Sequence, residues 1–127
     1  MTNLATKEKK TFSFDKNHSL NILYAKPDKY KQLEEISSKY DEIINTGSNL
    51  SYSPLGINKN GISLDLKKFN RIIDFDENEK TITVEAGITL IDLLNFTLSK
   101  NLWIPQLPGY PTITIGGAVS ANSHGKS

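Results

Sequence analysis

The sequence predicts an α+β fold, and three observations carry that reading. A strand, an amphipathic helix and a second strand open the pattern. Two alternating segments separated by a polar turn follow. A leucine-striped helix then leads into a glycine-rich tail. Strands grouped in runs, rather than in strict strand–helix alternation, argue against a doubly wound parallel sheet.

The polar, lysine-rich residues 1–19 read as a loose arm or a first irregular segment. Asn21–Ala25 reads as a short strand. Pro27 then stands where a helix can begin, because its missing N–H is not needed there. Tyr30, Leu33, Ile36 and Tyr40 recur at near-helical spacing with Lys29, Lys31, Glu34 and Glu35 facing away, which predicts a helix ending near Tyr40. Glu42–Asn45 predicts a strand that runs straight into the small, polar stretch Thr46–Ser53. Pro54, Gly56, Asn58, Asn60 and Gly61 prolong that loop.

Ile62–Leu66 reads as a strand, where Ile62, Leu64 and Leu66 alternate with Ser63 and Asp65. Arg71–Asp76 and Thr81–Ala86 flank the polar turn Glu77–Lys80 and predict an antiparallel hairpin. In the second of these, Ile82, Val84 and Ala86 share one face and Thr81, Thr83 and Glu85 the other. Thr89 is a good N-cap, with Asp92 three residues on. Leu90, Leu93, Leu94 and Leu98 give the stripe of a helix to about Lys100, and Asn101 can end it. Two prolines in Leu102–Gly109 prevent regular structure. Thr112–Ser127 reads as a short β-like run, a glycine pair and a train of small residues.

Composition removes several functional classes. The protein has 127 residues, enough for one domain with a real core. Hydrophobic residues make up 37% and charged residues 23%, unlike a disordered tail or a membrane-spanning protein. Lys+Arg 15 against Asp+Glu 14 leaves a net charge of +1, so there is no global field to gather nucleic acid. The absence of cysteine excludes disulfides, thiolate metal sites and a thiol nucleophile. His18 and His124 are far apart and supply no metal-ligand set. No apolar leader precedes the first elements and no spanning run exists, so the expected location is the cytoplasm, with membrane association through a partner left open.

Two segments can carry chemistry. The first is Asn45, Thr46, Gly47, Ser48, Asn49, Leu50, Ser51 and Tyr52, directly after a strand. Small residues let successive main-chain N–H groups converge on an anion, and Gly47 can take dihedrals closed to other residues. Ser48 and Ser51 add hydroxyl donors. A phosphate or pyrophosphate suits this loop; an ordinary polar surface loop is the other reading.

The second segment contains Gly109, Thr114, Gly116, Gly117, Ala121, Asn122, Ser123 and His124. So little bulk lets a large flat ligand lie against the backbone, or equally lets a helix pack closely on a strand. Gly125-Lys126-Ser127 ends like a P-loop, but Ser120 stands where the pattern needs glycine, and G-x-G-x-x-G is absent.

Together and in this order, the two segments resemble a known family. Tyr24–Lys126 resembles the first part of the FAD-binding domain of the vanillyl-alcohol oxidase type, the PCMH-type FAD domain. The carriers are NTGSNLSY, the passage GISLDLKKFNRIIDFDENEKTITVEAGITLIDLL, and above all LPGYPTITIGGAVSANSHGK. The last is most similar to the sugar-oxidising branch of the decaprenylphosphoryl-ribose oxidases, with the aldonolactone and sugar-alcohol oxidases as neighbours.

The resemblance implies that Asn45–Tyr52 surrounds the FAD pyrophosphate. Gly109, Thr114, Gly116 and Gly117 would line the cofactor, and Ala121–His124 would run beside the flavin and its ribityl chain. Leu50 stands where several relatives attach flavin through histidine, which implies non-covalent FAD. It also stands where the ribose-oxidase branch has a basic residue. Residues 1–20 would be an N-terminal arm and 21–127 the FAD domain, incomplete at its C-terminus.

The implied activity is oxidation of a sugar or sugar-derived alcohol by hydride transfer to flavin, with the substrate held by regions beyond these residues and the catalytic residues unassigned. The alternative is a truncated, non-catalytic remnant or a nucleotide-binding module that needs a separate second half. By itself the protein is expected to bind FAD weakly or not at all.

Overall fold

The computed structural model describes residues 4–12, 15–52 and 55–125. Within it the protein divides into two compact units, Met1–Lys68 and Phe69–Ser127.

The first unit is a four-stranded sheet with one helix. Its strands are β1 (Thr6–Phe12), β2 (Ser19–Ala25), β3 (Ile43–Thr46) and β4 (Ile62–Asp65), in the order β1-β2-β4-β3. The crossover through helix α1 (Tyr30–Lys39) leaves β2 and β3 one strand apart, and β4 fills the gap, parallel to both. Ile62 is therefore level with Leu23 on one side and Ile43 on the other.

This placement leaves β4 no exposed face, despite the polar residues that alternate along it. All four of its residues are buried, Ser63 and Asp65 included. A strand with neighbours on both edges and cover on both faces has no solvent side. Ile62 and Leu64 join Ala25 and Ile36 of α1 in the core, with Leu23, Leu33, Tyr40, Ile43 and Leu66 packed around them. On the opposite face, the Ser63 hydroxyl donates to the Gly56 carbonyl.

The expected loose arm is corrected. Residues 6–12 form β1, antiparallel to β2 from Thr6 opposite Ala25 to Phe12 opposite Ser19. Its residues are almost all exposed, so no apolar alternation marks it in the sequence. What orders it is the hydrogen-bonding edge of β2.

Helix α1 starts at Tyr30 rather than at Pro27. The side chain of Gln32 turns back, and its Oε1 accepts from the main-chain N–H groups of Asp28 and Lys29. Gln32 is thus buried, while Tyr30 of the expected apolar stripe is exposed.

The second unit opens with the expected antiparallel hairpin, β5 (Ile72–Asp76) and β6 (Thr81–Val84), with a register shift between Ile72 and Asp74. Helix α2 (Leu90–Ser99) follows, and Thr89 caps it by accepting from Asp92 N–H. Phe96 of α2 meets Phe75 of β5 edge to face, with ring centroids 5.4 Å apart. Ile88, Leu90, Leu93 and Phe69 are buried.

Helix α2 ends as expected at Asn101, which takes the left-handed conformation with φ 56°. Asn101 N–H bonds to Leu98 O and Leu102 N–H to Thr97 O, the paired bonds of a Schellman stop. Glu85, expected on the polar face of a strand, instead lies just past β6 and is buried.

The β-like run expected at Thr112 is a helix start. Thr114 caps the short helix α3 (Ile115–Ser120), which runs through the glycine pair. Thr114 forms an isolated bridge with Thr89, and Ile115 N–H bonds to Ile88 O. Bonding to that neighbouring segment, invisible in local propensity, takes up the threonine-rich run.

Candidate functional site

The first candidate segment begins where β3 ends. Parallel β2, β3 and β4 all finish at one edge of the sheet, and in open α/β sheets ligands gather outside these carboxyl ends. Asn45 and Thr46 are the last residues of β3, and Gly47–Tyr52 continue as loop.

Three contacts shape that loop. Thr46 Oγ1 donates to the Leu64 carbonyl at 3.1 Å, so this hydroxyl is turned to the sheet. Asn49 takes the left-handed conformation, φ 56°, and its Nδ2 donates to the Phe12 carbonyl at 2.9 Å. Gly56 closes back on both: a Cβ there would meet Thr46 Cγ2 at 2.8 Å and Asn49 Oδ1 at 3.2 Å.

The expected role of Gly47 is thereby corrected. No described glycine has positive φ, and the left-handed position of the loop belongs to Asn49, two residues on. Asparagine tolerates that region better than other residues that carry a Cβ.

Asn45–Tyr52 contains no charged residue. Gly47, Ser48 and Leu50 are half-buried, while Asn49, Ser51 and Tyr52 are exposed. A bend with a left-handed residue and no carboxylate suits an anion held by main-chain amides. Ser53 and Pro54 lie outside the described residues.

The second segment lies in the second unit, and its residues divide by role. Thr114 is buried, and its Oγ1 accepts from Gly117 N–H at 3.2 Å. Gly116 is a packing glycine: its N–H donates to Ala86 O at 2.8 Å, and a Cβ would stand 3.0 Å from Ala86 Cβ and 3.1 Å from Ala86 O.

Gly109 differs, since a Cβ there would meet nothing within 4 Å. Gly117 is exposed and borders Thr114 Oγ1. Gly109 is thus the glycine of the segment that faces open space, whereas Gly117 N–H is held by Thr114 Oγ1 and its carbonyl by Ala121 N–H. Asn122 is left-handed, φ 46°, and ends α3 by a second Schellman stop, with Ser123 N–H bonding to Ala118 O. Ala121, Asn122, Ser123 and His124 are all exposed. His124 Nδ1 lies 3.3 Å from Asn122 O. Lys126 and Ser127 lie outside the described residues.

Sequence reasoning missed two buried carboxylates and their partners. Asp65, at the carboxyl end of β4, accepts from the Tyr24 hydroxyl at 2.7 Å and from Lys67 N–H. Lys26 and Lys67 Nζ stand 3.7 and 3.8 Å from its carboxylate. Burial and then the Asp65 hydrogen bond push the Tyr24 phenol above its ordinary range. Buried Glu85 takes the main-chain N–H and the guanidinium of Arg71. Each acid looks like an ordinary polar-face residue in the sequence, so no local signal marks it.

Among the described residues no group of three His, Asp or Glu could hold a metal ion. No described helix is long and apolar enough to cross a membrane.

An α+β scaffold that ends three parallel strands beside an uncharged loop has the arrangement of a nucleotide-binding domain. Residues 24–127 match the model of the FAD binding domain, and the protein belongs to that family. It is 35% identical over 85 residues to decaprenylphosphoryl-β-D-ribose oxidase of Mycolicibacterium smegmatis, covering 67% of this chain and 18% of that protein. It is 32% identical over 69 residues to a probable L-gulonolactone oxidase of Arabidopsis thaliana, covering 54% of this chain and 12% of that one.

The solved structure of cholesterol oxidase from B. sterolicum shares the fold, with a TM-score of 0.81 at 20% identity over 96% of this chain and 25% of that one. The sequence thus spans a quarter or less of the length of these relatives. It is an FAD-binding domain of the kind found in FAD-linked oxidoreductases, and FAD is its cofactor.

Proposed function

We propose that this protein is the FAD-binding portion of an oxidoreductase acting on a sugar or sugar-derived alcohol. The observation that carries the reading is the uncharged loop Asn45–Tyr52 at the carboxyl end of β3, shaped by left-handed Asn49. Its main-chain amides would hold the FAD pyrophosphate, with Ser48 and Ser51 adding hydroxyls. Gly109, Gly117 and the exposed run Ala121–His124 would lie along the flavin and ribityl chain, while Thr114 and Gly116 hold the backbone of α3 in place from behind.

When bound, FAD would supply hydride acceptance from a carbinol carbon and passage of electrons to oxygen or another acceptor. The protein's part here is to bind and orient. Leu50 offers no nucleophile, so attachment is non-covalent. The sugar class is supported by the relatives, two of which are named as oxidases of a ribose derivative and of gulonolactone. Substrate contacts would come from the further length those relatives possess.

The test is to express the coding sequence together with whatever follows it, purify the product and record its visible spectrum. A flavin band that acid precipitation releases into the supernatant supports the reading. Absence of flavin after reconstitution with FAD overturns it. A stop codon after residue 127 with no neighbouring second half would favour a non-catalytic remnant instead.

A further inference from the structure

We propose that Asn60 is a spontaneous modification site, at which the native protein converts asparagine to isoaspartate and aspartate. Three observations carry this. Asn60-Gly61 is the one asparagine–glycine pair in the sequence, so the following nitrogen belongs to a residue with no side chain of its own. Asn60 is exposed, in a bend before β4, with its main-chain N–H on Asn58 Oδ1 at 3.0 Å. Neither the Asn60 carboxamide nor the Gly61 N–H makes a hydrogen bond among the described residues. Both reacting groups are therefore uncommitted in the folded state.

The step balances without any other reagent than water. Gly61 N loses its proton and bonds to Asn60 Cγ, and the bond from Cγ to Nδ2 breaks, releasing ammonia. Water then opens the cyclic imide. Attack at Cγ leaves aspartate, and attack at the main-chain carbonyl leaves isoaspartate, with one extra methylene in the backbone.

The structure also assigns the consequence. A Cβ at Gly61 would overlap the carbonyl oxygen of Glu42, so the backbone there is pressed against the end of the α1–β3 connection. The next residue, Ile62, donates to that same carbonyl at 3.0 Å and is fully buried. A lengthened backbone at position 60 cannot keep both Gly61 and Ile62 in register with Glu42, so the isoaspartyl form loses the entry to the central strand.

The experiment ages the purified protein at mildly alkaline pH and maps its peptides by mass spectrometry. The map is read beside Asn60→Gln and a guanidinium-unfolded sample. Asn60 is expected to be the first asparagine converted, at a rate within roughly tenfold of the unfolded protein, as for a loop that needs no opening. Asn60→Gln should lose the early acidic species on isoelectric focusing. The isoaspartyl fraction should unfold at lower urea than fresh protein. Conversion first at another asparagine, such as Asn122 before Ser123, or a folded rate far below the unfolded one, overturns the site. Unchanged unfolding of the isoaspartyl fraction overturns the consequence.

Discussion

The Tyr24 hydroxyl donates to Asp65 Oδ2 at 2.7 Å, joining β2 to the end of buried β4. Burial of the phenol, and after it this bond, set a pH limit on the first unit. The folded state favours the protonated phenol, whose pKa is raised from an ordinary value of 10.0. Its contribution is therefore complete below about pH 10 and is lost as pH rises beyond that. Urea midpoints followed by circular dichroism should hold to that point and then fall. Tyr24→Phe should cost about 1.5 kcal/mol at neutral pH, the low end for a hydrogen bond to a charged group, because Asp65 keeps Lys67 N–H. It should also flatten the alkaline descent; an unchanged descent in the variant would assign it to the lysines.

The Arg71–Glu85 pair is asymmetric, and so should be its variants. Glu85 is buried, whereas the Arg71 side chain is 63% exposed. Arg71→Met takes the guanidinium away from a buried carboxylate, and should cost about 2–3 kcal/mol. Glu85→Gln removes the buried charge while retaining an acceptor for Arg71 N–H, and should cost about 1 kcal/mol. Chemical denaturation of both variants checks the order. A larger loss for Glu85→Gln would mean that the ion pair itself dominates.

How much of this could be read from the residues alone depends on where each element's partner lies. The β5–β6 hairpin, the Thr89 cap and the Asn101 stop depend on neighbours within a few positions, and all three are legible. Strand β1 depends on the edge of β2, and the burial of Asp65 depends on β3 and β2 closing around β4. Such long-range facts leave no periodic trace. In the candidate site, the small-residue character of both segments is legible. The division of labour between Gly116, which packs on Ala86, and Gly109, which faces open space, is not. Nor is the transfer of the left-handed position from Gly47 to Asn49.

That division of labour predicts opposite behaviour for two glycines. Gly116→Ala forces a methyl against both Ala86 Cβ and Ala86 O, a contact that backbone cannot relieve cheaply. It should destabilise the second unit by about 1–3 kcal/mol, the usual range for overpacking. Gly109→Ala meets nothing and should leave stability within about 0.5 kcal/mol. If Gly109 borders FAD as proposed, the bulkier Gly109→Val should weaken FAD binding while unfolding as the parent does. Paired urea titrations and flavin fluorescence separate the two roles.

Asn49 offers the sharpest test of the first loop. Its left-handed backbone costs an ordinary residue about 1–2 kcal/mol, and its amide also anchors the loop to Phe12 O. Asn49→Gly relieves the backbone but loses the anchor; Asn49→Ala loses both. If the main-chain amides of Asn45–Tyr52 hold the pyrophosphate, FAD affinity in the flavin-loaded protein should fall in the order parent, glycine, alanine. The alanine loss should be about tenfold, the equivalent of 1.4 kcal/mol of misplaced backbone. Adenosine affinity, which draws nothing from a pyrophosphate loop, should stay level across the series. Equal FAD affinity in all three proteins, measured by quenching of flavin fluorescence, would remove the loop from the cofactor site even if the protein binds FAD.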